Sequence, residues 1–152
     1  MIAQTWASLM ALGEEGYLKN VRSIMDTTKN LAAGISKING LRVIGQTEAM
    51  IVCFESTCEL NIYCVVDEMA RKGWSLGSHQ FPPCSHLCVT IPHVGHESDF
   101  LSDLQRSVDA VRSSPDGGKH GNAAIYGLSG SMPCTGPINE MLVLYNDVVL
   151  TV

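Results

Sequence analysis

Cys84, His86 and Cys88 stand at i, i+2 and i+4, and His93 and His96 follow within ten residues. In an extended strand that spacing puts the first three side chains on one face. Cysteine and histidine are the ligands zinc favours. A cysteine beside a histidine is also the pairing that activates a thiolate nucleophile. Structural zinc, however, is usually held by Cys-x-x-Cys pairs on tight turns, and this chain has none. Cys88 lies in an apolar run, where burial is expected to raise a thiol's pKa and leave it inert. No Gly-x-Ser-x-Gly elbow occurs. Gly117-Gly-Lys-His-Gly121 is glycine-rich, but it misses the phosphate-loop pattern and no apolar strand leads into it, so it reads as a linker. The bland reading of the Cys/His group, packing on a half-buried strand, is therefore preferred to a metal or nucleophile site.

Tyr126 is the other residue with chemistry to offer. It sits in Ala123-Ala-Ile-Tyr-Gly127, between the linker and the last helical pattern. Gly127 lets the backbone turn sharply beside it. A loop phenol donates a hydrogen bond to a phosphate or moves a proton. Its ordinary use is to plug a groove with its ring and leave the hydroxyl wet. From the residues alone the ordinary use is preferred.

The elements that would position these groups follow from apolar periodicity. Steps of three and four through Trp6, Leu9, Met10, Tyr17, Val21, Ile24, Leu31 and Ile35 predict a short helix, a break at Gly13 to Gly16, and a long helix to Lys37. The short helix, residues 1–15, opens in an apolar pattern with no cap before it, as expected of the remnant of a cut helix. Asn39-Gly40 is expected to close the long helix. Strands are expected at Leu41–Ile44 and Met50–Phe54, paired antiparallel, and at Trp74–Leu76 and His86–Ile91, with Phe81-Pro-Pro83 as a rigid turn. Asn61–Lys72 and Glu97–Arg112 read as amphipathic helices, capped by Asn61 and Ser98. Residues 113–136 read as linker and loop, and 137–150 as a terminal helix. The sum is one α+β domain with a sheet of about four strands and helices on one side.

Composition narrows the partners. A net charge of −5 over 152 residues argues against a general nucleic-acid binder, which needs a basic stripe. No apolar run reaches membrane-spanning length. No basic region precedes the apolar start, so a secretory signal is not expected, and the six cysteines are expected to be reduced thiols in a cytosolic setting.

Several stretches, in this order and spacing, resemble the C-terminal part of the sphingosine-1-phosphate lyases: Ala11-Leu-Gly-Glu-Glu-Gly-Tyr17, Ala70-Arg-Lys-Gly-Trp-Ser-Leu76, Gln80-Phe-Pro-Pro83, His86-Leu-Cys-Val-Thr-Ile91 and Ala124-Ile-Tyr-Gly127. The wider group of pyridoxal-phosphate decarboxylases shares the architecture more loosely. The resemblance implies a mainly antiparallel small domain of a fold-type-I enzyme. It implies retro-aldol cleavage of a phosphorylated sphingoid base to a fatty aldehyde and phosphoethanolamine, with pyridoxal phosphate as electron sink. The cofactor lysine belongs to a large domain that this chain lacks, so the chain alone is expected to be inactive. It also implies a homodimer, and an endoplasmic-reticulum location with the catalytic part on the cytosolic face. Tyr126 matches the tyrosine of the family's Ile-Tyr-Gly loop, and is the only site residue carried over. Gly77-Ser-His79 departs from a more polar, Asn-rich run common in the family. The alternative is a non-catalytic α+β module that binds a partner through an uncovered apolar face; a small metal-binding protein built on residues 84–96 stands third.

Overall fold

In a computed structural model the described residues are 2–57, 60–114 and 136–150. Helix α1 (Ile2–Ile35) is followed by strands β1 (Leu41–Val43) and β2 (Ile51–Ser56), and then by helix α2 (Ile62–Arg71). Strands β3 (Gly77–Gln80) and β4 (Pro83–Cys88), a 3-10 turn at Ile91–His93, α3 (Glu97–Ser113) and α4 (Gly136–Leu150) complete the order. All strand neighbours are antiparallel, in the order β1-β2-β4-β3. This is the α+β architecture expected from the sequence.

The break expected in the first helix is at Gly13, whose φ of 62° and ψ of 179° interrupt α1. A side chain is strained there, so glycine suits the kink. Beyond it α1 buries Leu31 and Ile35 against the sheet. Helix α2 is capped as expected: the Asn61 side chain accepts from the Tyr63 N–H at 3.0 Å. Its Ile62, Val65, Val66 and Met69 are buried. Helix α3 adds Phe100, Leu104 and Val108 to the same core. From the sheet, Val52 and Phe54 of β2 and Leu87 of β4 enter that core. Each such side chain contributes about 1.5–3 kcal/mol on burial.

Three expectations need correction beyond shifts of one or two residues at element ends. The third strand is Gly77–Gln80 rather than Trp74–Leu76. Trp74 is instead spent on α3: it meets Phe100 edge-on at 5.1 Å and donates from Nε1 to Asp103 at 3.0 Å. The fourth strand is Pro83–Cys88 rather than His86–Ile91, because the hairpin turn is made by Phe81 and Pro82 and pairing begins at once with Gln80 opposite Pro83. Val89 still donates to the Met50 carbonyl at 2.7 Å, but Pro92 already lies in the 3-10 turn. Helix α3 is not capped by Ser98, which lies within it; its N-cap residue is His96, with no side-chain cap bond. Glu97 and Asp99 instead place negative charge on the first turn, where the helix dipole favours it.

Candidate functional site

Alternation along the sheet sends Val52, Phe54, Ser85 and Leu87 to the helices, and sends Cys53, Glu55, Cys84 and His86 to the opposite face. Two cross-strand rows cover that open face. In one, Cys53 of β2 stands opposite His86 of β4, which stands opposite Gly77 of β3. In the next, Arg42 of β1, Glu55, Cys84 and His79 follow one another across all four strands. Arg42 closes its end of the row through an ion pair with Glu55.

At the other end the two imidazoles meet. His79 Nε2 and His86 Nδ1 are 2.9 Å apart, and the rings stack at 4.8 Å between centroids. One nitrogen donates and the other accepts, so the contact holds a single shared proton. Glycine at position 77 makes room for it: a Cβ there would lie 2.1 Å from His86 Cε1. Behind the pair, Tyr63 of α2 donates its hydroxyl to the His79 carbonyl at 2.7 Å, and Ser85 donates to the Gly77 carbonyl at 2.9 Å. Strand β3 is thereby fastened from the core side.

The thiols behave differently from one another. Cys53 lies 3.6 Å from Cys84, Sγ to Sγ. Burial, then the hydrogen bond and charge of Cys84, then the charge of Glu55 push the Cys53 thiol up to about 11. Cys64 on α2 is raised too, chiefly by burial. Cys88 was expected to be buried, and is exposed. The three-residue shift of β4 makes it the last strand residue, on the open face.

Cys84, His86 and Cys88 do share one face, but His93 and His96 do not join them. His93 is turned back to Thr90, whose N–H it accepts at 2.9 Å, and stacks on Trp74; His96 pairs with Asp99 at 3.1 Å. Among the described residues no group of three or more His, Cys, Asp or Glu is placed to hold a metal ion. An open cleft of about 390 Å³ lies between β2, α2 and Pro83, lined by residues including Glu55, Asn61 and Tyr63. The Asn61 oxygen and the Tyr63 hydroxyl there are already engaged, in the helix cap and in the bond to β3.

Tyr126 and the rest of the expected linker and loop from 115 to 135, with Cys134, lie outside the described residues, as does Cys58. Pyridoxal phosphate does not fit the residues that are described. A Schiff-base lysine must stand in a cleft; Lys19, Lys29 and Lys37 are exposed on or just beyond α1, and Lys72 donates to the Asp103 carbonyl and the Ser107 hydroxyl. Among the described residues no helix is long and apolar enough to cross a membrane.

No family model matches the chain. Individual proteins do. A sphingosine-1-phosphate lyase of Arabidopsis thaliana is 44% identical over 147 residues, 97% of this chain and 27% of that protein. One from Dictyostelium discoideum is 38% identical over 152 residues, 99% of this chain and 28% of that protein. The solved structure of the Burkholderia pseudomallei sphingosine-1-phosphate lyase superposes with a TM-score of 0.67 at 37% identity, over 73% of this chain and 25% of that one. Along nearly its whole length, this chain is similar to sphingosine-1-phosphate lyases. It spans about a quarter of the length of the lyases it matches. A mutant of the cystine C–S lyase C-DES, with glycine covalently linked to its pyridoxal-phosphate cofactor, shares the fold at 18% identity and a TM-score of 0.51, over 60% of this chain and 24% of that one.

The histidine pair and the dithiol escaped sequence reasoning. The signal lay in strand register: His79 and His86 are only seven residues apart, but the hairpin turn at Phe81-Pro82 decides that they face each other, and Cys53 meets Cys84 from 31 residues away through the β2–β4 pairing.

Proposed function

We propose that this chain works as the C-terminal part of a pyridoxal-phosphate-dependent carbon–carbon lyase. The enzyme cleaves phosphorylated sphingoid bases to a fatty aldehyde and phosphoethanolamine. The observation that carries this reading is similarity to lyases of plant, amoebal and bacterial origin along the chain, joined to a superposable fold. The cofactor and its lysine belong to the remainder of the enzyme, and this chain alone is inactive. Tyr126 is its contribution to the active site, donating a hydrogen bond to the substrate phosphate or moving a proton.

The surface agrees with a missing neighbour. In the first half of α1, Ile2, Trp6, Leu9 and Met10 are exposed, Trp6 at 65% and Met10 at 66%. Contiguous apolar surface of this kind marks a contact face. We assign it to the large domain and to the second subunit of a homodimer. An endoplasmic-reticulum location, cytosolic face outward, comes with the resemblance.

A denaturing blot of the source tissue with an antibody against residues 123–136 tests the reading. A band several times heavier than this chain is expected. A band at this chain's own size alone would overturn it, and would favour the second reading: a binding module that uses the exposed face of α1.

A further inference from the structure

The two cysteines at the centre of the open face are placed to react with each other. Cys53 stands opposite His86, and Cys84 opposite Glu55, so the thiols are diagonal neighbours on adjacent antiparallel strands. Such diagonal positions are about 7–8 Å apart along the backbone, so short side chains meet there only where both lean together. The sulfurs are 3.6 Å apart, with Cys53 donating to Cys84. Both sit on the two inner strands of the sheet, β2 and β4. Cys53 is half-buried and so reachable, whereas Cys84, on the same face, is buried. At this separation a mixed disulfide formed on one sulfur is within reach of the other, while the raised Cys53 thiol makes the first attack slow at neutral pH.

We propose that Cys53 and Cys84 form a reversible disulfide that bolts β2 to β4, with a low-molecular-weight disulfide as oxidant. The Cys53 thiolate attacks one sulfur of the small disulfide, forming a mixed disulfide and releasing one small thiolate, which takes up the proton that Cys53 lost. The Cys84 thiolate then attacks the Cys53 sulfur and breaks its bond to the small group. The second small thiolate leaves and takes up the Cys84 proton. The protein pair loses two electrons, and the small disulfide is reduced to two thiols. Cys88 takes no part in the cross-link: its strand partner is Ile51, and it lies four residues further along β4 than Cys84.

The test uses the 152-residue chain, fully reduced and then incubated with oxidised glutathione. Remaining thiols are alkylated, and the products are read by intact mass and peptide mapping. The expected result is a loss of two hydrogens, a fall in alkylatable thiols from six to four, and one cross-linked peptide joining the Cys53 and Cys84 segments, reversed by dithiothreitol. The Cys88→Ser variant gives the same cross-link, and Cys53→Ser does not. A stable glutathione adduct on Cys53 without closure would overturn the proposal. So would a cross-link between any other cysteines as the main product. Both of these outcomes are read on the unsubstituted chain, so they hold even where a variant fails to fold.

Discussion

Thr27 on α1 donates its hydroxyl hydrogen to Glu97 on α3 at 2.7 Å, joining residues 70 positions apart in the chain. That bond, together with the helix-terminal amides, holds the Glu97 carboxyl below the usual carboxylate range. Because the folded value is lowered, the stabilisation is present above the unfolded value, near 4.5, and is lost as pH falls below it. Thr27→Val keeps the shape and removes the donor. It is expected to cost about 1–2 kcal/mol at neutral pH, and less in acid. Urea unfolding of both proteins at pH 7 and in acid checks this; an equal loss at both pH values would contradict it.

Gly77→Ala is expected to be expensive for so small a change. Its Cβ would meet the His86 ring, which must then leave His79. The backbone around it is held by Ser85 and by the Tyr63 bond to strand β3, so the ring is what has to yield. Overpacking of this kind costs roughly 1–3 kcal/mol. Thermal unfolding reads the cost, and histidine side-chain NMR signals read the loss of the ring pair. Unchanged signals for both histidines would contradict the geometry.

Cys53 is expected to alkylate slowly at neutral pH, because its thiol is pushed up to about 11 and the thiolate is the reactive form. The groups facing it are Cys84 and His86 on β4 and Glu55 on its own strand, itself paired with Arg42 of β1. Its rate should rise about tenfold for each pH unit until that range is reached. Exposed Cys88 should react ahead of it at pH 7. Site-resolved mass spectrometry after timed iodoacetamide treatment follows both. Cys53 reacting first at pH 7 would contradict the burial described.

The helices were the legible part of this chain. The apolar stripes of α2 and α3, the Asn61 cap and the break at Gly13 all come from local spacing and local backbone chemistry. The strands were legible as existing but not in their bounds. Trp74 and Leu76 carry the apolar character of a strand, yet Trp74 uses it against Phe100 and Asp103. The open face was hidden for the same reason. Which histidine faces which cysteine depends on register, and Cys88 is exposed because it ends β4 on the face turned away from the helices. The proposals for the reaction, the cofactor and Tyr126 rest on the resemblance to the lyases, because periodicity holds none of them.

The central claim is tested by the cleavage assay itself. The longer protein that the proposal calls for, containing this segment and supplied with pyridoxal phosphate and a phosphorylated sphingoid base, is assayed for fatty aldehyde, beside its Tyr126→Phe variant and this chain alone. The account expects aldehyde from the longer protein, none from the 152 residues alone, and turnover lowered roughly a hundredfold or more by Tyr126→Phe with the fold intact. No aldehyde from the longer protein would contradict the lyase reading, and unchanged turnover in the variant would remove Tyr126 from the site.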